Sequence, residues 1–439
     1  MSVEIETLFT AALGLQTPWT VSSVELDTAK RRIDFQVSCG TKRLACPACG
    51  APDQGIHDRT PKSWRHLDFF QFEAWLHADV PRVACTACAK TTLLEVPWAR
   101  PGSGFTLLFE ALALSLCQEL PVAQAADLLR VSGKRLWRRI AHYIGEARAK
   151  DDMSGVRLIG IDETSVKRGQ NYITVVHDLD ARRLLFATAG RDHSTVLDFA
   201  ADLQAHGGEA EQIEHVCMDM SAAFAKGVRE ALPQAQVSYD RFHVVALAQE
   251  AMDEVRRSDM RERPQAVRAA LGGHAKTLKG LFWGMRKNPE GWSQRQCDAM
   301  HGLQRSNLAS ARAWRLKMAL REVYARAVAS NDANLAESEL RKWLSWARRC
   351  RLEPFKKLAS TITAHLGGVL RGMLDGRSNA YVEAMNGLLQ NAKRAARGFR
   401  TTENFIAIAY LRMSKLKHLP TNPLAQAASR GYGITVHRV

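Results

Sequence analysis

The sequence lacks any uninterrupted run of about 18 apolar residues, so a membrane-spanning helix is excluded. The first residues, MSVEIETLFTAALG, lack the basic-then-apolar pattern of a secretory signal, and an interior, soluble address is expected. It also lacks an even number of cysteines: nine argue against a fully paired disulfide framework. Acidic residues are scarce at the C-terminal end, where residues 376–439 hold two against ten Lys and Arg. What is present is ordinary globular material, 46% hydrophobic and 24% charged, which excludes wholesale disorder. At roughly 150 residues per domain, 439 residues suggest about three domains.

The net charge of +16 is unevenly spread. Residues 1–155 carry +1, residues 156–244 carry −4, residues 245–375 carry +11 and residues 376–439 carry +8. An acid-rich middle flanked by basic segments fits metal-binding carboxylates set among phosphate-binding surfaces. The plainer alternative is a chain that is basic only for solubility.

Four cysteines form two C-x2-C pairs, Cys46-Pro-Ala-Cys49-Gly50 and Cys85-Thr-Ala-Cys88. Two such pairs complete a closed tetrahedral Zn²⁺ site, structural because no ligand position stays open. Strands are expected over Val21–Leu26, Arg32–Val37, Trp64–Leu67 and Phe72–Val83, with Pro81 interrupting the last. Together they describe a zinc-ribbon module; the alternative is two chance pairs of buried thiols.

From Phe105 the apolar period becomes helical, and Pro121 separates one helix from the next. A turn at Val131-Ser132 leads into a helix whose polar face is Lys134, Arg135, Arg138 and Arg139. Its apolar face is Leu136, Trp137 and Ile140. An apolar helix, a tight turn and a basic second helix match a DNA major-groove reader. A solvated helical hairpin is the alternative.

Next, an apolar strand ends at Asp162, followed by Glu163. Two more strands (Tyr172–Val176, Leu184–Ala187), a helix (Ser194–Ala205), a strand ending at Asp219, a helix (221–231) and a strand ending at Asp240 complete the pattern. Three strands, helix, strand, helix, strand is the ribonuclease H-like order, in which the first and fourth strands are neighbours. Asp162 and Asp219 then face one another, and a divalent cation such as Mg²⁺ (or Mn²⁺) relieves their repulsion. The third acid expected is Glu383, on a helix whose polar face reads Glu383, Asn386, Gln390, Lys393 and Arg397. Ala384, Leu388, Ala392 and Ala395 are its expected apolar face. Asn386, Lys393, Arg394 and Arg397 are read as contacts to a phosphate backbone. Each acid alone is equally an ordinary surface charge, and Glu163, Asp178, Asp180, Asp240 and Asp375 are the acids that could stand in for one of the three.

With these motifs in order, the chain resembles, over nearly its whole length, a bacterial DDE transposase of the ISL-three insertion-sequence family. The blocks that carry the resemblance are the two cysteine pairs, residues 105–148, Gly160-Ile-Asp162-Glu163, Met218-Asp219-Met-Ser, Tyr239-Asp240-Arg-Phe-His243, Trp283 to Glu290, and Asn379 to Arg394 with Gly398-Phe399. One departure is Gly284-Met285-Arg286, where the family usually carries more hydrophobic residues. The resemblance implies a multidomain α+β chain. Its expected parts are a zinc-ribbon-like head (1–100), a helix-turn-helix (101–155), and a ribonuclease H-like core (156–244 and 376–439) split by a helical insertion (245–375). It implies Asp162, Asp219 and Glu383 as catalytic acids holding two Mg²⁺ ions. His243 either orients a scissile phosphate or an acid, or is a structural histidine. The implied partner is double-stranded DNA, at transposon ends and target, with two or more copies assembled on it and the protein cytoplasmic at the nucleoid. A non-catalytic DNA-binding regulator and a nuclease that cuts without joining are the rival readings. Five tryptophans fall in the insertion (Trp283, Trp292, Trp314, Trp343, Trp346), most expected in its core, one or two of them candidates to stack on an unpaired base.

Overall fold

The computed structural model describes residues 4–167, 171–272, 275–374 and 380–424. Asp375 and the Ser378-Asn379 start of the Glu383 segment lie outside them. The chain divides into two compact units: the residues up to Ala147 with the segment from Lys417, and Arg148–Leu416.

In the first unit, α1 (Ile5–Ala12) precedes a six-stranded sheet. Its strands are β1 (Trp19–Asp27), β2 (Arg32–Cys39), β3 (Arg43–Leu44), β4 (Gln54–Arg65), β5 (Glu73–Ala84) and β6 (Thr91–Leu93). The order is β1-β2-β5-β4-β3, with β6 on β5. The β1–β2 hairpin closes where Asp27 Oδ1 accepts the Lys30 N–H at 2.9 Å, an Asx-type turn. On β5 the period-two set Ala74, Leu76, Ala78 and Val80 is buried against Phe35, Val37, Trp64 and Trp98.

Two expectations change here. The strand expected at Trp64–Leu67 is the tail of a twelve-residue β4. Its first ten residues leave none buried, so they carry no apolar signal; pairing with β5 (Thr60 opposite Val80, Trp64 opposite Leu76) holds them extended. Pro81 does not interrupt β5. Its carbonyl accepts the Leu94 N–H at 2.9 Å, away from β4, so the missing N–H breaks no bond to β4.

The same unit continues into α2 (Leu107–Glu119), α3 (Val122–Leu128) and α4 (Gly133–Arg148), the helices expected there. Thr106 caps α2 through the Phe109 N–H. Leu136 and Ile140 bury the inner face of α4, and Trp137 is half-buried.

The second unit holds a five-stranded sheet: β7 (Leu158–Lys167), β8 (Asn171–Asp178), β9 (Arg183–Ala189), β10 (His215–Met218) and β11 (Gln236–Tyr239). The order is β11-β10-β7-β8-β9. β10 is parallel to both β7 and β11, while β8 and β9 are antiparallel. The first and fourth strands of this sheet are therefore neighbours, as the element order implied. α5 (Ser194–Ala205) and α6 (Ala222–Ala231) make the crossovers. β7 does not stop at Asp162; it runs to Lys167 because β8 pairs along it (Asp162 opposite Val175).

Among the described residues, eight helices follow: α7 (Arg241–Glu262), α8 (Pro264–Ala270), α9 (Ala275–Arg286), α10 (Gln294–Gln304), α11 (Ala309–Ser330), α12 (Ala333–Arg349), α13 (Glu353–Ala364) and α14 (Leu366–Leu374). α7 crosses position 244/245 without a break. One continuous core joins the sheet (Ile159, Val216, Met218) to these helices (Leu316, Trp343, Phe355). α14 lies close against β11: a Cβ added at Gly372 meets the Tyr239 carbonyl at 2.2 Å, and one at Gly368 meets the Tyr239 ring at 2.6 Å. That close approach seats the end of β11, where Asp240 follows.

Gly284 has a packing reason too. A Cβ there falls 2.7 Å from Met300, and the Gly284 carbonyl accepts the Trp292 indole N–H at 2.8 Å. Of the five tryptophans, Trp343 is core, Trp292 and Trp314 are partly buried, and Trp283 and Trp346 are exposed. α15 (Ala380–Ala395) and α16 (Thr402–Met413) complete the unit. No helix among the described residues is long and apolar enough to cross a membrane.

Candidate functional site

The two cysteine pairs sit in equivalent loops, after β3 and after β5. Each closes a knuckle: the Ala48 N–H donates to Cys46 Sγ, and the Cys88 N–H donates to Cys85 Sγ, both at 3.4 Å. Gly50 takes the left-handed conformation (φ 76°) that ends the first knuckle, and Ala89 takes it (φ 56°) at the second. Across the pairs, Cys46 Sγ lies 3.8 Å from Cys88 Sγ and Cys49 Sγ lies 3.6 Å from Cys85 Sγ. Thiolates about 2.3 Å from a tetrahedral Zn²⁺ are about 3.8 Å apart, so the four sulfurs fit that ion. The Cys88 backbone N–H is the main influence drawing the Cys85 thiol down to about 7, toward the thiolate form that binds metal.

The basic face of α4 is split. Lys134 and Arg138 are exposed. The Arg135 guanidinium lies 3.8 Å over the Phe105 ring and donates to the Gly104 carbonyl at 3.2 Å. Arg139 donates at 3.2 Å to Glu110, a fully buried carboxylate that also accepts from Arg100, Ser103 and Tyr143. Burial opposes its charge, but Arg100, Tyr143 and Ser103 outweigh burial and hold its carboxyl below the usual range. Two of the four cations thus build the domain and two are left on its surface. Helical periodicity placed all four on one polar face and could not see the Glu110 hub beneath it.

In the second unit one acid lies within β7 and two follow directly on the neighbouring strands β10 and β11. Gly160, Cys217 and Ser238 are aligned across β7, β10 and β11. Asp162 stands two residues further along β7, and Asp219 and Asp240 directly follow the last residues of β10 and β11. The Asp240 N–H donates to the Met218 carbonyl at 3.2 Å, continuing the ladder between β10 and β11.

Each side chain is placed by its neighbours. Asp162 is buried; its Oδ1 accepts the Glu163 N–H at 2.8 Å and its Oδ2 accepts the Asn386 amide at 2.7 Å. Burial raises its carboxyl to about 6 and the Asp219 charge adds to this, against the pull of the Glu163 N–H, His243 and Asn386. Asp219 Oδ1 accepts the Ser221 N–H at 3.0 Å, and Ser221 in turn caps α6. Asp240, 2% exposed, caps α7 by accepting the Phe242 N–H at 3.0 Å. His243 lies on the first turn of α7, with Nε2 3.8 Å from Glu383 Oε1. Burial, then the Asp240 charge, raises the Glu383 carboxyl; His243 opposes and Asp162 adds.

Asp162, Asp219, His243 and Glu383 lie near enough to influence one another's charge, but the ligand atoms within 4.8 Å of one another are those of Asp240, His243 and Glu383. Asp240, only a stand-in acid in the sequence, is thus part of the group. Three further acids stay apart from the group. Glu163 pairs with Arg191 at 3.2 Å, Asp178 accepts two N–H groups in the β8–β9 turn, and Asp180 is exposed on that turn.

The face of α15 is reversed from expectation. Its polar stripe points inward: besides Asn386, Gln390 donates to Thr164 Oγ1 at 2.7 Å and Lys393 to the Ser165 carbonyl at 2.6 Å. Val382, Leu389 and Ala392 are buried beside it, whereas Ala384, Leu388 and Ala395 are exposed. The cause is β7, whose Thr164 and Ser165 offer acceptors that only a polar face can satisfy. Arg397 lies past the helix end at φ 56°, exposed like Arg394.

Comparison with known proteins agrees with this geometry. Residues 159–409 match a family model described as transposase, residues 94–144 the helix-turn-helix domain of transposase family ISL3, and residues 42–88 the zinc-finger of transposase IS204/IS1001/IS1096/IS1165. The transposase for insertion sequence element IS1557 of Mycobacterium tuberculosis is 31% identical over 95% of this chain and 97% of the relative. The transposase for insertion sequence element IS1001 of Bordetella parapertussis is 24% identical over 85% and 90%. The chain belongs to the ISL3 family of insertion-sequence transposases.

Proposed function

We propose that this protein binds the terminal inverted repeats of an insertion sequence and catalyses Mg²⁺-dependent DNA cleavage and strand transfer. The observation that carries the reading is that Asp162 and Asp219 each lie two residues past the paired Gly160 and Cys217, and that both Asp219 and Glu383 are electrostatically linked to Asp162. Asp162, Asp219 and Glu383 would hold two Mg²⁺ (or Mn²⁺) ions, which supply activation of the attacking oxygen and stabilisation of the leaving oxygen. The chain's own part is orientation. The Glu163 N–H and the Asn386 amide fix the two oxygens of Asp162, and the Ser221 N–H fixes one of Asp219. Water attacks the phosphodiester at the element's end and displaces the element's 3′-oxygen; that 3′-hydroxyl then attacks a target phosphodiester and displaces the target's own 3′-oxygen.

Lys134 and Arg138 are the side chains of α4 free to reach DNA in the end-recognition unit. Arg394 and Arg397 are the exposed cations beyond the acids, while Asn386 and Lys393 act by shaping β7. Both ends of an element must be held at once, so at least two copies act together, at the nucleoid in the cytoplasm.

Asp219→Asn is the test. The variant is expected to bind end-containing duplex in a gel shift and to lose cleavage and strand transfer in Mg²⁺. Full activity in this variant overturns the triad. Cutting by the wild type with no joined product replaces the reading by that of a nuclease.

A further inference from the structure

Asp240 is almost wholly buried, and among the described residues its Oδ2 has no hydrogen-bond partner. Two more buried atoms beside it are also without one: His243 Nε2 and Glu383 Oε1. A donor atom from each of these three residues lies within 4.8 Å of the other two. A buried carboxylate oxygen without a partner is costly, and three such donors facing one another need either water or a cation.

We propose that Asp240, His243 and Glu383 form a mixed nitrogen–oxygen cation site that prefers a transition-metal ion such as Mn²⁺ over Mg²⁺. The proposal builds on the cation-dependent reading above. It divides the centre into two unlike halves. The Asp162–Asp219 half offers only oxygen and suits Mg²⁺. The Asp240–His243–Glu383 half adds an imidazole, a ligand that Mn²⁺ accepts beside carboxylates and that later first-row ions favour, whereas Mg²⁺ keeps to oxygen and sheds water reluctantly.

The geometry fits an ion. The 3.8 Å from His243 Nε2 to Glu383 Oε1 is within the span of two ligands each about 2.1 Å from one ion. Asp240 is held for the task, because its other oxygen is committed to the Phe242 N–H at the start of α7. Gly368 and Gly372 let α14 press on Tyr239, the residue before it. A cavity of about 520 Å³ adjoins Asp240 and Glu383, with Arg241, Phe242, Lys317 and Arg321 in its wall. His243 is thus a ligand, beyond the two roles considered for it from sequence.

The test uses the full chain without DNA and Mn²⁺ as the probe. Pulsed electron paramagnetic resonance of bound Mn²⁺ is expected to show coupling to a histidine ¹⁴N. The coupling should vanish in His243→Gln and persist in Asp219→Asn. Asp240→Asn keeps the helix cap, so the chain should fold, yet Mn²⁺ affinity should fall at least tenfold. Mg²⁺ should compete poorly for the site. Nitrogen coupling that survives in His243→Gln, or Mn²⁺ affinity unchanged in Asp240→Asn, overturns the proposal. Neither readout depends on turnover, so failure here is distinct from failure of the strand-transfer reading, which Asp219→Asn tests.

Discussion

Asp162 and Asp219 lie in register, each two residues past the aligned pair Gly160 and Cys217 on parallel strands. Neighbouring strands are about 4.8 Å apart, so the two carboxylates are near enough to repel. The charge of Asp219 accordingly adds to burial in raising the Asp162 carboxyl to about 6.

Asn386 works against that rise by donating to Asp162 Oδ2. Asn386→Ala removes a bond that favours the charged form, so the Asp162 carboxyl rises further. The acidic limb of the pH profile for end cleavage is then expected to move to higher pH. A hydrogen bond to a charged group worth about 1.5 kcal/mol is about one pKa unit, so the limb should move by about one pH unit and the rate at pH 7 should fall about twofold. The profile measured in Mg²⁺ checks this; an unmoved limb removes Asn386 from the site's electrostatics.

The cysteine cluster is expected to bind one Zn²⁺ per chain. Co²⁺ exchanged into it should show the ligand-field absorption of tetrahedral thiolate, and Cys85→Ser should lose both. Ala89, unlike Gly50, carries a side chain in the left-handed region. Ala89→Gly should therefore stabilise the zinc-loaded unit by up to about 1 kcal/mol, read from chemical denaturation.

On α4, Lys134→Ala and Arg138→Ala should each weaken DNA binding and make it less sensitive to salt. The slope of log affinity against log salt should shrink by about 0.9 for every phosphate no longer neutralised. Arg135→Ala and Arg139→Ala should instead lower the thermal midpoint, because they remove a cation from the Phe105 ring and from Glu110. Fluorescence anisotropy across a salt series, beside thermal melts, separates the two classes.

His177 is fully buried on β8, and burial lowers its pKa to about 3. Unfolded, it takes up a proton near pH 6.5; folded, it does not until about pH 3. Its contribution to stability is complete above pH 6.5 and is lost as pH falls, by about 1.4 kcal/mol per pH unit for one proton. In His177→Phe the denaturation midpoint should depend less steeply on pH between about 6.5 and 4. An equal slope in both proteins contradicts the assignment.

The sequence alone determined the parts that are local. C-x2-C spacing is a property of a single turn, so both zinc knuckles were readable in order. The helix-turn-helix was readable because an apolar period, Pro121 and the Val131-Ser132 turn all act within a few residues. The order of strands and helices followed from apolar runs, two of which lead into Asp162 and Asp219, while Glu383 was read from the polar face of a helix. Tertiary structure decided what depends on partners far along the chain. The parallel register of β7, β10 and β11 set Asp240 in register with the other two aspartates, and no local period carries register between strands. The inward turn of the polar face of α15 was decided by Thr164 and Ser165, more than 200 residues earlier, whose acceptors Gln390 and Lys393 pair. The division of labour on α4 was decided by the buried charge of Glu110, which draws in Arg139 and leaves Arg138 to solvent.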